Sequence, residues 1–518
     1  MEPDQSQEAS PTTEKQPGFS SNADSADLRL VRGEIPVTAL IVVCLSFFER
    51  IAFNAVTSPL QNYIQNAEDD PLRPGALGLG EEIASTIISI FFMISFTTPL
   101  LAGVLADVYL GRFRTVLLSY GMYILGVFVL FMTSLPALLS RGAGLPGLIV
   151  AMVFVSCGLG AIKATIPPYL AEQCSNVNEE IVILPSGERV FVSRPATIEY
   201  TFNLYYWSSN MGVLSRIAST YLEKNVGFWA AFLVGLSSLC LGVITLLVSR
   251  GRLIEVDRQV SAIIWAARAL RIAVFKRLHI PISKNEDDRS VPGSDEYIQQ
   301  LKSGLKVCHA FLPFVVYWLC QAQMGTNTVS QAANMQTHGI PNDLLSVIDA
   351  FTVIIVLPML NHMLYPWLRK LGYSCSSITR IAVGLAFESC AMAWATGVQA
   401  LIYTSPPCYS RPRACAASHN GALPNDVNVA FQLPAYVFEG IGESFALPAV
   451  YDYAFNNSHQ NLKSIVQGIY VLSAAFGYGI SLALSPTYKD PKLLYMYAGL
   501  AGSTMLVTIA FILAFRAH

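Results

Sequence analysis

Charge is what this chain has least of. Of its 518 residues only 13% are Asp, Glu, Lys or Arg, 53% are hydrophobic, and the formal net charge is −2. Soluble domains carry roughly twice that share of charge, so the composition excludes an ordinary soluble protein and offers no basic surface for nucleic acid. Ten cysteines in a chain this long do not make a disulfide scaffold. Most of them, including Cys44, Cys157, Cys240, Cys320 and Cys390, fall in apolar runs where cysteine behaves as a small hydrophobe. No CxxC or Cys/His spacing suggests a metal. No Gly-rich phosphate loop or nucleophile elbow stands where its chemistry could run, so neither an enzyme nor a cofactor is expected. The first thirty residues, rich in Ser, Asp, Glu and Pro, have neither an apolar core nor an Arg-rich amphipathic pattern; residues 1–35 are expected to form a disordered tail, not a signal peptide.

What is present is a series of long apolar runs. A window of about 20 residues, the length that crosses a bilayer as a helix, finds about twelve. They begin near Val37, Ile83, Arg114, Leu145, Tyr200, Phe228, Val307, Leu344, Ile378, Val429, Leu462 and Leu494. The runs are continuous, not alternating, which disfavours a β-barrel. The expectation is an all-α, multi-pass membrane protein in contact with lipid. Between spans six and seven, RQVSAIIWAARALRIAVFKRLHI sets apolar residues at helical spacing in a basic background, as a membrane-surface helix would. It marks residues 250–305 as a linker between two six-span halves, 36–249 and 306–518. Arg112, Arg114, Arg369, Lys370 and the basic linker all follow even-numbered spans, which predicts cytosolic even loops and cytosolic termini; Arg411 and Arg413 run against the trend. Cys408 and Cys415 share the loop before span ten, where a local disulfide and two free thiols are both open.

Inside span one, VTALIVVCLSFFERIAFNAVT places Glu49 beside Arg50. Each charge costs about 2.5 to 3.5 kcal/mol at a helix centre on insertion scales, so the default reading is functional, with a partner or a water-filled cavity. Lys163 lies deep in span four with nothing acidic beside it in sequence, and Glu439 and Glu443 lie in span ten.

After span two comes GVLADVYLGRFRTVLLSYG, in which Gly103 and Gly111 allow close backbone approach, Asp107 sits at a helix end, and Arg112 and Arg114 can hold a carboxylate or a helix C-terminus. This resembles the signature loop of the major facilitator superfamily. With GLGAIKATIPPYLAEQ, FNLYYWSSNMG and GESFALPAVYDYAFNNSHQNLKSIV it resembles the proton-dependent oligopeptide transporter family. TNTVSQAANMQTHGIPNDLLSVIDAFTVIIVLPMLNHMLYPWLRK and the PPCY before span ten resemble its fungal branch. The resemblance runs from about Pro36 to the end.

The resemblance implies the major facilitator fold, two six-helix bundles with a substrate cavity between them near the midplane. It implies a monomer, expected in the plasma membrane of a fungus, that moves di- and tripeptides or related zwitterions with protons. In that reading Arg50 and Lys163 hold the substrate carboxylate, a fork and a point charge converging on one anion. Glu443 receives the amino terminus, with Glu439 one turn earlier as its rival; Asp349, Asn210 and Tyr205 line the site. Glu49 and Glu443 carry the proton coupling.

Two departures count against coupling. The family's glutamate three residues before the Glu-Arg pair is Ser46 here, and span seven, with Gln321, Gln323 and Asn327, has no carboxylate. Two other functions therefore stay open: a transporter of another organic molecule, such as a fungal secondary metabolite, or of nitrate; and a receptor or scaffold that no longer transports.

Overall fold

A computed structural model describes residues 29–177, 179–183, 187–255, 307–373, 375–457 and 463–515. Helices begin where the apolar runs do. In chain order the spans are Val37–Thr57, Glu81–Val104, Arg112–Thr133, Gly144–Gln173, Arg194–Val213, Phe228–Val248, Leu312–Gly325, Val347–Met359, Ser377–Thr404, Leu433–Asn457, Lys463–Leu484 and Leu493–Phe515. Among the described residues, nine helices are long and apolar enough to cross a membrane on those grounds alone. Spans five, seven and ten fall short. Span seven stops after 14 residues at a break by Thr326, and span ten carries Glu439, Glu443 and Asp452.

The chain closes locally where the sequence supplies caps. Ser376 accepts the N–H of Thr379 at 3.2 Å to start span nine, and Ser193, ahead of a proline in the first turn, starts span five. Spans one, five and seven each break and resume as a short helix, at Leu60–Gln65, Ser215–Asn225 and Asn327–Ala333.

The apolar faces collect half by half. Tyr63, Tyr120, Tyr123, Leu159, Phe232 and Leu239 belong to one core built from the first six spans. The last six spans form two clusters, one around Met392, Tyr436 and Tyr497 and one around Phe314, Leu385 and Tyr470. Aromatic side chains of this size bury the most apolar area, and the buried Tyr120 hydroxyl finds a partner in the Leu45 carbonyl at 2.6 Å.

A small sheet lies outside the helical pattern. Arg29–Val31 (β1) pairs in parallel with Arg189–Val192 (β3), and Ile181–Ile183 (β2) pairs antiparallel with β3. The expectation of a disordered tail through residue 35 therefore does not hold for its last part: Arg29–Val31 find a strand edge in the loop after span four, and Gly33 N–H bonds Thr197 Oγ1 at 2.9 Å. The basic, amphipathic part of the 250–305 linker lies outside the described residues. Its beginning is held, since Ile254 exchanges both backbone bonds with the Gln173 amide at 3.0 Å.

Hydrogen bonds between the two halves gather on the face where the odd-numbered spans end. Asn62 and Asn342 pair their amides reciprocally at 3.0 and 2.9 Å; Gln61 reaches Ser330 at 3.1 Å, Ser85 reaches Asn327 at 2.8 Å and Arg73 reaches Asn334 at 3.2 Å. The loop before span ten folds over this face, and here the open question about its cysteines is resolved: Cys408 and Cys415 are disulfide-bonded. Within the stapled loop Arg413 turns back to the Gly421 carbonyl and bonds Asp70 of the other half at 2.7 Å. Arg413, a basic residue against the orientation trend, thus has a partner of its own.

Burial works to raise the pKa of Asp70, but the Arg413 guanidinium and the Leu72 N–H hold the carboxyl below its ordinary value of 3.8. A depressed carboxylate contributes above its unfolded pKa and loses that contribution as pH falls through the folded one, so this contact persists through neutral and mildly acid conditions. We expect Asp70→Asn to weaken closure of this face by up to about 1 kcal/mol, roughly fivefold in the ratio of open to closed molecules. Spin labels on the exposed positions 68 and 411, in a background without the unpaired cysteines, measure it; a distance distribution identical to the parent's shows that the pair contributes nothing to closure.

Candidate functional site

The charged residues of span one are partners first of each other. Arg50 donates from Nε to Glu49 Oε2 at 2.6 Å and from Nη2 to Oε1 at 2.8 Å, a two-pronged pair. The Glu49 side chain is 3% exposed and that of Arg50 22%. Neighbours in sequence do not face each other on a helix, so the guanidinium bends back across its own turn. It lies 4.8 Å from the centre of the Phe53 ring. Span five makes room for this: a side-chain carbon at Gly212 would stand 2.6 Å from Arg50 Cβ, so only glycine lets the two helices meet there.

Lys163 answers the question that the sequence left about its partner. It does not form an ion pair with Glu49. Its ammonium sits 4.1 Å from the centre of Phe96 and 5.7 Å from that of Phe53, a cation over ring faces. Phe53 thus lies under both Arg50 and Lys163, and the two cations are within electrostatic range of one another and of Glu49. Tyr205 from span five lies in the same field. Tyr478 of span eleven stacks on Phe92 and Phe96 at 4.8 and 5.8 Å, and Trp318 of span seven approaches Phe96 at 5.5 Å. This aromatic wall crosses from one half to the other, and no single-span pattern announced it.

The opposite pole is acidic. Glu443, Glu439 and Asp349 fall within electrostatic range of one another, and Glu388 of span nine joins them. Glu388 is fully buried and neither of its carboxyl oxygens has a hydrogen-bond partner; one oxygen of Asp349 is in the same state. The sequence reading passed over Glu388, although an acid in an apolar run was the signal that selected Glu49. It also missed Arg216, which follows the break in span five. Arg216 donates to Asn54 at 2.8 Å and to Ser346 at 3.1 Å, and is the cation facing the acidic pole. Tyr205 and Tyr206 lie in electrostatic range of Tyr451 and Glu443 respectively, so span five runs beside both groups of charges. Asn210 spends one amide hydrogen on the Tyr206 carbonyl of its own helix at 3.0 Å.

The departures have structural accounts. The Ser46 hydroxyl stands 3.5 Å from that of Ser209, a neutral contact where the resemblance puts an acid. In span seven, Gln323 donates to Tyr488 at 2.9 Å and to Ser481 at 3.1 Å and accepts from Asn327, which in turn accepts from Ser85 at 2.8 Å. That chain is satisfied without a titrating group.

The signature loop separates into parts. Gly103 lies in the last turn of span two, and a wider turn, Leu105–Leu110, carries Asp107, whose side chain lies outside what is described. Gly111 has φ +78°, the left-handed region glycine favours, and begins span three. Arg112 Nε bonds Glu172 Oε1 at 2.6 Å, tying span three to the end of span four, while Arg114 is exposed. Asp452, at the same end of the molecule, pairs with Arg380 at 2.9 Å.

Two sets of six helices, with buried charge collected where the sets meet, are the architecture of a membrane protein of the major facilitator fold. The family model described as the POT family matches residues 113–500. The chain is 33% identical over 94% of its length to a peptide transporter, PTR_A, of Candidozyma auris, covering 83% of that protein. It is 31% identical over 95% of its length to the peptide transporter PTR2 of Saccharomyces cerevisiae, covering 81% of it. Among solved structures it aligns with the POT family transporter PepTSo at a TM-score of 0.73 and 15% identity, covering 94% of this chain and 99% of that one. This chain belongs to the POT family.

Glu49→Ala leaves the mostly buried Arg50 guanidinium without its carboxylate, which costs about 3 kcal/mol where the pair is desolvated. We expect a lower thermal unfolding midpoint for the purified protein and a smaller loss in Glu49→Ala/Arg50→Ala, because the double variant leaves no orphaned charge. Equal losses in the single and double variants would mean that the pair is not coupled.

Proposed function

We propose that the chain is a secondary transporter, not an enzyme, that carries di- and tripeptides or similar small zwitterions with protons by alternating access, as a monomer in a plasma membrane with both termini in the cytosol. The observation that carries the reading is the pair of poles: Arg50 and Lys163 from the first half, and Glu443, Glu439 and Asp349 from the second. A zwitterion is the solute that satisfies both at once. Arg50 and Lys163 take the carboxylate, and Glu443 with Asp349 takes the ammonium. Tyr205 and Asn210 border the space between. The relatives named as peptide transporters, and a POT family structure described in complex with 5-aminolevulinic acid, an amino acid in form, fit such a solute.

Glu49 links the proton to the substrate. Ionised, it occupies the Arg50 fork; protonated, it releases that fork for a substrate carboxylate. With odd-numbered loops outside, the hydrogen-bonded face is the external one, and the molecule is closed to the outside.

Uptake of a labelled dipeptide by reconstituted vesicles, with acid on the external side, tests the function. Absence of uptake across a broad peptide panel overturns it. Lys163→Ala and Glu443→Ala are each expected to weaken binding by about 1.5 to 3 kcal/mol, the scale of a charge-assisted hydrogen bond. A substrate without an amino group separates them: its binding should still respond to Lys163→Ala and not to Glu443→Ala. Glu49→Gln should lose proton-driven accumulation, and a variant that still concentrates substrate removes Glu49 from the coupling.

A second reading, transport of another organic molecule, draws on the neutral Ser46 contact and the neutral chain of span seven. A compound retained inside cells that lack the protein favours it.

A further inference from the structure

Two acids from opposite halves of the molecule face each other at the closed face. Glu223 belongs to the short helix Ser215–Asn225 that continues span five, and Asp343 caps the turn Leu344–Ser346 that leads into span eight. Each is only 2% exposed. Their side chains are within hydrogen-bonding distance of each other.

The surrounding donors account for only part of what two carboxylates need. Asn62 gives one amide hydrogen to Glu223 Oε1 at 2.9 Å and the other to Asn342 at 3.0 Å. Ser58 reaches Asp343 Oδ2 at 3.5 Å. The remaining oxygens, Glu223 Oε2 and Asp343 Oδ1, are buried and have no donor. The charged group facing the pair is Arg216, within electrostatic range of Asp343 and committed by its hydrogen bonds to Asn54 and Ser346. Lys224, next in sequence, bonds the Gly339 carbonyl instead. Two ionised carboxylates have acceptors only, so they cannot bond to each other and repel at this range. One proton between them turns repulsion into a hydrogen bond and leaves a single negative charge opposite Arg216.

We infer that Glu223 and Asp343 form a proton-binding site that exists only when this face is closed. In the open state the halves part, each carboxyl meets water, and both ionise near their ordinary range. Closing takes up one proton, which the two groups share. The closed state thus binds one proton more than the open one, and by linkage the closed-to-open ratio rises as pH falls, by up to about tenfold per pH unit while the shared site titrates. Such a site adds a titrating group at the closed face of a protein in which Ser46 and a neutral span seven stand where the resemblance puts acids.

The pair also differs from Asp70–Arg413 on the same face. That contact is an ion pair that holds without a proton, so the two contributions respond to pH in different ranges.

The test reads distances across the face between spin labels at positions 68 and 411, in full-length protein without substrate, from neutral to mildly acid pH. For the parent we expect the closed fraction to grow on acidification. Glu223→Gln supplies a neutral donor to Asp343 at every pH and should stay closed with no pH response. Asp343→Asn, the mirror change, should behave the same way, and Glu223→Asp should keep a pH response. A parent whose distances do not change with pH overturns the proposal, as does a Glu223→Gln protein that keeps the parental response. Because no substrate enters the measurement, failure of the peptide reading leaves this outcome unaffected, and failure here leaves that reading standing.

Discussion

A charge removed from water must find another charge, a ring face or a proton, and the interior of this protein is arranged around that requirement. Glu49 and Arg50 satisfy it with each other, Lys163 with the rings of Phe96 and Phe53, and Arg216 with Asn54, Ser346 and the field of the acidic pole. None of these solutions is closed. Among the described residues the guanidinium is held by a single carboxylate and the ammonium by ring faces, and in the proposed reading both exchange these partners for a substrate anion. The acidic pole is further from satisfaction still, since Glu388 and Asp349 keep buried oxygens without donors. The interior is therefore receptive, and the rest of the fold exists to keep lipid away from it and to let water and solute reach it from one side at a time.

The surrounding helices serve that end by different means. Spans such as the sixth are apolar throughout and pack within one half. Spans seven and ten are less apolar, span seven through the amides of Gln323 and Asn327 and span ten through Glu439, Glu443 and Asp452. Spans one, five and seven break near the same face and continue as short helices, and these polar ends supply Asn62, Glu223 and Ser330 to the contact between the halves. Neutral amides and hydroxyls dominate that contact. Neutral hydrogen bonds that exchange with water are worth about 1 kcal/mol each, which suits a surface that must close firmly and still open.

Much of this was readable in advance. The span starts, the two sets of six helices and the placing of charge inside the apolar runs at Glu49, Arg50, Lys163 and Glu443 follow from one local rule, that a long apolar run spans a membrane and that a charge within it needs a partner. That rule needs no knowledge of neighbours. The resemblance of the loop after span two, and of three further stretches, then pointed to the family.

Partnership was not readable, because it is decided between segments distant in sequence. A ring at position 96 and a ring at position 53 meet Lys163 only once spans one, two and four pack together. The pairing of Cys408 with Cys415 was open until their loop was placed, and the strand at Arg29–Val31 exists because β3 offers an edge some 160 residues later. Arg216, Glu223 and Asp343 each look ordinary in their own stretch and acquire meaning from what faces them. Amino-acid order by itself determined where the chain crosses the membrane and which crossings carry charge, since transfer into lipid is a property of each segment alone. Only the tertiary structure decided which charges meet, because an electrostatic interaction depends on the distance between two groups and folding sets that distance.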